Sequence, residues 1–348
     1  MTISPCSDMP TNPKRKVSAE LSSIVRITRF PLIFCVVLVH TCLPMENDLP
    51  TTVFKVLPPR VEMWFLISSY LFFYSFEGWD WGLFGDKLRR RFHSLFIPYL
   101  IWNAFALLVF FLVHQLFPGQ ISSGFMNVGQ FTAMEYLRSF WDVFDGNPIS
   151  YPLWFLRDLM VLFLFAPLFH VLLRGRLGWV VIAVILLNEL FQFVDVRAVN
   201  SASWFAIGSF LAIQQFDVVK RLKDSRYATI VLYLVFMVAS FFSDAFLPFS
   251  RFIGVFAAFD VARILVNRCI KVPDILTEVT FFVYVFHGCI IMMIAKAITR
   301  LWQGNQVMLV IGYFMAPVLM TIICVGIYCG LKRLFPRVTS VIVGKRMK

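Results

Sequence analysis

Charged side chains are scarce in this chain of 348 residues. Asp, Glu, Lys and Arg make up 15% of the sequence, against roughly 25% in an ordinary soluble domain. Hydrophobic residues make up 59%, and 40 residues are phenylalanine. A soluble core of this size cannot bury so much apolar surface, which excludes a soluble globular protein. Apolar blocks near the roughly 20 residues that cross about 30 Å of hydrocarbon recur instead, and they predict an all-α fold, a polytopic membrane helix bundle.

Several motifs of soluble enzymes are also missing. The sequence has no HEXXH, GxSxG, GxxxxGK[ST] or HxxxxD pattern, so nothing indicates a zinc protease, a serine hydrolase, a P-loop NTPase or a soluble glycerolipid acyltransferase. We therefore expect no metal and no permanently bound cofactor. The seven cysteines form no CxxC pair and no disulfide framework, which is typical of small buried apolar residues.

The apolar blocks predict ten spans, with both termini on the same side of the membrane. They lie near 21–44, 61–76, 94–117, 153–173, 178–195, 201–216, 226–243, 250–268, 274–299 and 306–331. This pattern divides the chain into an N-terminal tail of residues 1–20, one transmembrane domain of residues 21–331 and a basic tail of residues 332–348. A longer external loop is predicted near 118–152.

Lysine and arginine are distributed unevenly between the two sets of predicted loops. Most of them lie in the tails and in the loops after the even-numbered spans. Because these residues accumulate on the cytoplasmic side, we predict that both termini are cytoplasmic. The net charge of +12 follows from this asymmetry and does not indicate nucleic-acid binding. The segment PKRK before the first span, without a small-residue cleavage site after it, favours an anchor over a removable signal.

The first span contains the stretch RFPLIFCVVLVH, which begins with Arg29 and ends with His40. Eleven residues make about three helical turns plus 20°, and about 16 Å along the axis, so both side chains share one face with Ile33 and Val36. A charge in the bilayer costs at least about 2.5 kcal/mol, so this face is expected to line a cavity or contact a partner. Alternatively, Arg29 reaches the inner headgroups and His40 bonds a buried carbonyl.

A basic cluster precedes the third span in DKLRRRFHSLFIPYLIWN, where Arg89, Arg90 and Arg91 follow Lys87. Guanidinium groups bind phosphate oxygens in bidentate fashion, so the cluster is a candidate phosphate site. Ordinary anchoring at the cytoplasmic surface is the alternative.

The fourth span begins with YPLWFLRDLMVLFLFAP, which places Arg157 and Asp158 next to Trp154. Adjacent helix residues point about 100° apart, so each charge is expected to find a partner on another helix. Glu62, at the start of the second span, is the candidate partner of Arg157. We expect these four residues to form either a substrate contact or a structural ion pair.

The ninth span, ILTEVTFFVYVFHGCIIMM, carries Glu278 and His287. Thr280, Tyr284 and His287 follow the i, i+4, i+7 spacing of one polar stripe. His287 is expected to form an interhelical hydrogen bond or to act in catalysis or substrate binding. Glu278 lies close to the opposite face of the helix and is expected to serve a different site.

Together these segments resemble the acyltransferase family 3 proteins, ten-helix bacterial membrane enzymes that acylate surface glycans and related acceptors. The resemblance extends from about Ser22 to the tenth span. Its most specific element is an arginine followed by ten residues and a histidine, here Arg29 and His40. LRRRFHSLFIPYLIWN, PLWFLRDL and FFVYVFHG are similar to the family's basic loop, fourth-span motif and late histidine segment, especially in its surface-polysaccharide O-acyltransferase branch.

Two positions depart from the family pattern. The basic loop usually reads RRxxR, whereas the three arginines here are contiguous and the later arginine is missing. Many relatives have FFxSGY or FFISGF where this chain reads FLISSY, so Ser69 replaces a glycine. These departures weaken the assignment of individual residues in the basic loop and predict different backbone packing near Ser69.

The resemblance implies an O-acyltransferase of the bacterial inner membrane that transfers groups other than aminoacyl groups. Its donor would be cytoplasmic acyl-coenzyme A, with acetyl as the expected group, and its acceptor a hydroxyl of an envelope polysaccharide or a lipid-linked sugar. His40 would be the general base, because histidine titrates near working pH. Arg29 and the three arginines of the basic loop would hold coenzyme A. His287 would stabilise the oxyanion or carry the acyl group, so direct transfer and an acyl-enzyme both stay open.

Two other interpretations use the same polar residues. A transporter or exporter of a glycan or small metabolite would line its pathway with them, although we detect no inverted repeats or Gly- and Pro-broken helices. An assembly subunit would need Arg29 and His40 only for partner retention. For the acyltransferase, the expected partners are the lipid bilayer, acyl-coenzyme A and the glycan acceptor, with no nucleic acid.

Overall fold

The computed structural model describes residues 17–116, 131–141, 147–225 and 227–345. Within these ranges the chain forms helices and no strand, which confirms the predicted all-α fold. The PKRK segment, most of the predicted N-terminal tail, parts of the predicted loop near 118–152 and the last three residues of the predicted basic tail lie outside the described residues.

The α-helices are numbered in chain order. They are α1 (Ala19–Val39), α2 (Leu49–Val56), α3 (Val61–Phe73), α4 (Trp81–Arg91), α5 (Ile97–Leu116), α6 (Ala133–Trp141), α7 (Trp154–Leu164), α8 (Ala166–Leu173), α9 (Gly175–Phe191), α10 (Arg197–Ile213), α11 (Val218–Asp224), α12 (Ala228–Ala239), α13 (Leu247–Asn267), α14 (Asp274–Leu301), α15 (Gln306–Leu334) and α16 (Pro336–Ile342). A π-helical segment, Phe92–Phe96, joins α4 to α5.

Polar caps and proline explain several helix boundaries. Ser18, Asp80 and Asn305 accept a hydrogen bond from the backbone three residues later, at 3.0 to 3.1 Å, and so begin α1, α4 and α15. Pro167 lies in the first turn of α8, where it has no N–H to continue the helix that precedes it. The axis accordingly bends by 62° between α7 and α8.

Helices occupy all ten segments that the apolar blocks predict, but fewer pass a test of length and apolar composition. Three do so in the described part of the chain: Ala19–Val39, Trp81–Leu116 and Gln306–Leu334. The number rises to six if each of three bent helix pairs forms one span. Ten crossings and the cytoplasmic position of the termini therefore stay predictions.

Large apolar side chains cover the outside of the bundle. Examples from four helices are Leu108, Val184, Val235 and Ile322, all of them exposed. Such a surface would associate in water but is satisfied in hydrocarbon. The apolar helices and this surface indicate a membrane protein.

Helix α1 contacts α13, α14 and α15, while α3 packs closely on α10. A Cβ at Gly208 of α10 would lie 2.3 Å from the carbonyl oxygen of Leu66, so only glycine fits there. Ser69 lies at the same contact and donates its hydroxyl to Leu66 at 3.1 Å. The close approach is therefore made by a glycine on the partner helix, and Ser69 contributes its hydroxyl to the same contact.

Candidate active site

A cavity of about 450 Å³ opens between α1, α3, α7 and α14. Helix α1 contributes Val25, Arg29, Ile33, Val36 and His40, whose spacings of three or four residues form one stripe. Arg29 and His40 therefore line the same cavity about three turns apart, as their spacing predicts. The volume is within the usual range of small-molecule sites, roughly 300 to 1,000 Å³.

One end of this first cavity is basic. An ion pair between Arg26 and Asp274 places the starts of α1 and α14 side by side. Arg29, Glu278 and Lys345 line the cavity there, and the Lys345 ammonium is 3.6 Å from the Glu278 carboxylate. We call this the basic end and the region around His40 the histidine end.

Arg91 also lines the cavity, and its guanidinium lies 4.9 Å above the ring of Phe163. Arg89 and Arg90 are exposed on α4 and are not among the residues that line the cavity. Consecutive helix residues point about 100° apart, so three contiguous arginines cannot share one face. The structure brings only the last of the predicted three to the cavity.

Arg29 and Arg91 have no carboxylate partner among the salt bridges of the described residues. Lys345, in contrast, is held by Glu278 and lies 3.1 Å from the hydroxyl of Tyr328. The basic end thus presents two guanidinium groups whose charge is not neutralised locally. Such groups bind an anionic ligand through charge-assisted hydrogen bonds.

The expectation that Glu278 serves a different site is wrong. Glu278 lines the first cavity and binds Lys332 at 2.7 Å. The cavity contacts a wide arc of α14 near its start, where Thr277, Thr280 and Phe281 also line it. The prediction for Glu278 assumes that the cavity contacts only the face of α14 that carries His287. At the basic end the cavity is wide enough to contact other faces of the helix as well.

At the histidine end, His40 and His287 are in contact. Nε2 of His287 lies 3.3 Å from Nδ1 of His40, and the rings are stacked with centroids 5.3 Å apart. His40 is half-buried and lines the cavity, whereas His287 is completely buried and is not among the lining residues. Access to a substrate therefore runs through His40.

The neighbouring carbonyls decide how this pair is protonated. Nδ1 of His287 lies 2.7 Å from the carbonyl oxygen of Tyr284 and 3.2 Å from that of Val283. A carbonyl only accepts, so Nδ1 of His287 carries the proton and its Nε2 accepts from Nδ1–H of His40. In the neutral pair, Nε2 of His40 is then the nitrogen with a lone pair left for a substrate.

Close packing holds His287 in this position. The Tyr284 hydroxyl donates to the carbonyl of Pro152 at 2.6 Å, and a Cβ at Gly288 would lie 2.6 Å from the Pro152 ring. Thr280 and Tyr284 of the predicted polar stripe line the cavity, whereas His287 lies behind His40. Glycine beside the histidine is what lets α14 approach the chain before α7 so closely.

The predicted pairing of Glu62 with Arg157 is wrong. Arg157 donates to the adjacent Asp158 through Nε and Nη2, at 3.0 and 2.8 Å, and both residues are buried. Glu62 instead pairs with Arg251 at the start of α13. The prediction considers only the directions of the Cβ atoms, which differ by about 100° between neighbours. The arginine side chain is long and flexible enough to turn back to the adjacent carboxylate.

Trp154, from the same predicted group, lines the first cavity, and the guanidinium of Arg197 lies 5.2 Å from its ring centroid. Glu62 lies outside the first cavity, and neither Arg157 nor Asp158 is among the residues lining it. The group of four therefore splits into a cavity wall, a buried ion pair and a separate salt bridge.

Sequence reasoning missed two further features. Arg263 donates to Asp260 at 2.6 and 2.9 Å inside α13, and Thr229 of α12 bonds the same carboxylate. The i, i+3 spacing of opposite charges in an apolar block would have revealed this pair. Tyr151, which packs edge-on against His40 at 6.0 Å, gives no comparable signal.

The segment after α16 is the third missed feature, because it forms part of the cavity wall. The predicted tail boundary at residue 332 falls inside α15, and α16 then packs against α5, where Trp102 donates to the carbonyl of Ile342 at 2.9 Å. Gly344 has a φ of +63°, and a Cβ there would lie 2.2 Å from the carbonyl oxygen of Ser94. This glycine brings Lys345 to the basic end.

The described residues contain no group of three or more His, Cys, Asp or Glu side chains that could hold a metal ion. Residues 25–329 match a protein family described as an acyltransferase domain. No curated protein and no solved structure matches the chain. The family match covers most of the sequence and includes the α1 stripe, Arg91 and both stacked histidines, so this protein is a membrane acyltransferase that belongs to acyltransferase family 3.

Proposed function

We propose that this protein is an O-acyltransferase of the bacterial inner membrane that transfers an acetyl group from cytoplasmic acetyl-coenzyme A to an envelope polysaccharide or a lipid-linked glycan. The observation that carries the proposal is the first cavity, which has guanidinium groups without acidic partners at one end and an accessible imidazole at the other. This arrangement fits a donor with an anionic head and a reactive far end.

In this proposal the donor enters from the basic end. Coenzyme A carries a pyrophosphate and a 3′-phosphate, which Arg29 and Arg91 bind while Lys345 adds to the positive field. The pantetheine arm then follows the α1 stripe past Ile33 and Val36, over the about 16 Å that separate Arg29 from His40 along the helix. The thioester carbonyl ends beside His40.

The acceptor hydroxyl attacks the thioester carbon while Nε2 of His40 removes its proton. The tetrahedral intermediate collapses by breaking the C–S bond, and the leaving thiolate takes the proton back from the imidazolium. His287 acts on the tautomer of His40 and does not touch the substrate, because both of its ring nitrogens already have partners. We therefore propose direct transfer without an acyl group on His287.

The test uses purified protein in lipid nanodiscs with radiolabelled acetyl-coenzyme A and extracted envelope glycan. We expect label in the glycan, and a loss of about 10²- to 10⁴-fold in His40→Asn, which keeps a donor at the Nδ1 position and removes Nε2. His93→Asn, at an exposed histidine, should match the wild type. Equal activity in His40→Asn would reject the proposed base, and label that stays on the protein after denaturation at neutral pH, where an acyl-imidazole survives longer than in acid, would reject direct transfer.

A transporter or exporter of a glycan or metabolite is the second candidate. The expectation of no Gly- or Pro-broken helices is wrong, because three helix pairs bend by 62°, 90° and 65°, the first of them at Pro167. Broken helices are typical of transporters, which favours this candidate. Proteoliposomes loaded with the glycan distinguish the two functions. Flux without any coenzyme A, combined with no acetyl transfer to any glycan, would replace the proposed acyltransferase by the transporter.

A further inference from the structure

A second cavity, of about 270 Å³, lies where α3, α10 and α13 begin and α9 ends. These helix ends are on the side of the bundle that the lysine and arginine distribution predicts to face outward. Four carboxylates line the cavity, those of Glu62, Glu189, Asp195 and Asp244, together with the single guanidinium of Arg251. Its charge is thus opposite to that of the basic end of the first cavity.

Most of these groups have partners within the protein. Arg251 pairs with Glu62, Lys55 binds Asp244 at 2.7 Å, and the Asn200 amide donates to Asp195 at 2.9 Å. These contacts account for the cavity rim. One further carboxylate lies in the interior of the cavity and takes part in none of them.

Glu189 is that residue. Its side chain is only 6% exposed. Ser203 and Trp204 hydrogen-bond the carboxylate, but no group in the described chain donates to its buried Oε1. The buried Oδ1 of Asn200, in the same cavity, also has no donor. A buried acceptor without a partner is costly, and more so for a carboxylate. Both oxygens would be satisfied by a ligand that donates hydrogen bonds.

The same residues restrict the class of that ligand. An anion is disfavoured by four carboxylates against one guanidinium that Glu62 already holds. A metal ion is disfavoured because the carboxylates do not form a group of three within the described residues. Trp204 and Phe252 add an apolar wall. Hydroxyl donors together with an apolar ring face are the features of a neutral sugar.

The two cavities share a wall near the histidine end. Val61 lines the first cavity and Glu62, the next residue, lines the second. The guanidinium of Arg197 lies over the ring of Trp154, which lines the first cavity. Asn200, which lines the second cavity, follows Arg197 by about one turn of α10. A sugar in the second cavity is therefore a neighbour of the reacting unit and not the unit beside His40.

We infer that the second cavity is an acceptor subsite that binds a neutral sugar unit of the glycan adjacent to the unit that is acetylated. Glu189 and Asn200 accept hydrogen bonds from the sugar hydroxyls, and Trp204 and Phe252 contact its apolar face. This inference rests on the proposed function for the identity of the acceptor, whereas sugar binding itself requires no acyl transfer.

Sugar binding is measured first without any donor, by saturation-transfer NMR on the protein in nanodiscs with methyl glucoside, glucosamine and glucuronate. We expect methyl glucoside to bind and glucuronate not to bind. Glu189→Gln should weaken binding about tenfold, because an amide NH₂ replaces one of the two oxygens of the carboxyl group that can accept from the sugar. Asn200→Ala should weaken it as well, and Asp86→Asn, an exposed carboxylate on α4, should not. Absent glucoside binding, equal glucuronate binding, or an unaffected Glu189→Gln would overturn the inference.

Kinetics then separate the subsite from the proposed function. With extracted glycan, Glu189→Gln should raise the KM for the glycan about tenfold and leave the KM for acetyl-coenzyme A unchanged. If the wild type transfers the acetyl group and the KM for the glycan is unchanged in Glu189→Gln and in Asn200→Ala, the subsite is rejected and the proposed function is not. No transfer by the wild type, with glucoside binding lost in Glu189→Gln, would reject the proposed function and keep the sugar site.

Discussion

The first and second cavities lie on opposite sides of one wall and carry opposite charge. The first presents Arg29 and Arg91 without acidic partners among the described residues, and the second presents Oε1 of Glu189 and Oδ1 of Asn200 without donors. The first cavity thus offers cationic donors, and the second offers acceptor oxygens. In the proposed function, this difference keeps a polyanionic donor and a hydroxyl-rich acceptor in separate cavities while both approach His40.

At the histidine end of the first cavity, the stacked histidines have neither an acidic nor a cationic partner within hydrogen-bond distance among the described residues. His287 is buried behind His40 and is fixed by backbone carbonyls of its own helix. In the proposed function, the proton transfer by His40 depends on the direction of its hydrogen bond to His287. The charge of each cavity instead determines which substrate binds there. Variants of the first cavity, the second cavity and the histidine pair should therefore change donor binding, sugar binding and proton transfer separately.

The largest effect is expected from reversing the charge at the basic end. Arg29→Glu should lower kcat/KM for acetyl-coenzyme A about 10²- to 10⁴-fold, because charge-assisted hydrogen bonds are lost and replaced by repulsion. Methyl glucoside binding should not change. Arg89→Glu, at an exposed position outside the cavity, is the matched control and also tests the sequence-based role of Arg89. Similar losses in both variants would mean that general surface charge, and not the cavity, attracts the donor.

A smaller loss is expected when His287 can no longer accept from His40. His287→Leu should lower kcat about 10- to 100-fold, the range seen when an outer partner of a metal-bound histidine is removed. His287→Gln, whose carbonyl oxygen can replace Nε2 as the acceptor, should recover part of the rate. Comparing kcat across pH separates a tautomer effect from a folding defect. Equal rates and identical pH profiles in both variants would contradict the positioning role.

The wall after α16 gives a test of backbone conformation. Gly344→Ala places a Cβ against the carbonyl of Ser94 in a left-handed backbone conformation, at a cost of about 1 to 3 kcal/mol. We expect the KM for acetyl-coenzyme A to rise about tenfold, since about 1.4 kcal/mol corresponds to that factor. Gly330→Ala, where a Cβ meets nothing within 4 Å, should behave as wild type. An unaltered KM in Gly344→Ala would mean that this segment does not shape the donor site.

The smallest effect is expected from salt. Raising ionic strength from about 0.1 to 1 M shortens the Debye length from about 10 to 3 Å, which should raise the KM for acetyl-coenzyme A about threefold. Methyl glucoside binding at the neutral-sugar subsite should stay constant. A titration of both ligands in the same nanodisc preparation measures this. If both binding constants change alike, the two cavities do not differ in their electrostatic character.

The sequence predicts the helices and the α1 stripe well, because both follow from local periodicity. Apolar runs place a helix at each predicted segment, and the eleven-residue spacing alone puts Arg29 and His40 on one side of α1. His287 is recognisable as a candidate because an ionisable residue in an apolar block is unusual. The roles assigned to these residues stay predictions until the variants above are measured.

Contacts between distant segments are what the sequence does not predict. Glu62 meets Arg251 only because α13 begins beside α3, a separation of 189 residues in the chain. Lys345 and Gly344 reach the basic end only after α16 folds against α5. The orphaned oxygen of Glu189 likewise depends on four helix ends meeting. No periodicity within one segment carries that information.

The position of Gly344 and Lys345 also affects how this protein can be manipulated. A reporter fused after Leu334, a natural choice for mapping membrane topology, would remove α16 and one side of the first cavity while leaving every predicted span in place. Such a fusion can insert correctly and still fail to bind its donor. Topology and activity therefore need separate fusion proteins, and an affinity tag on this protein belongs at the opposite terminus.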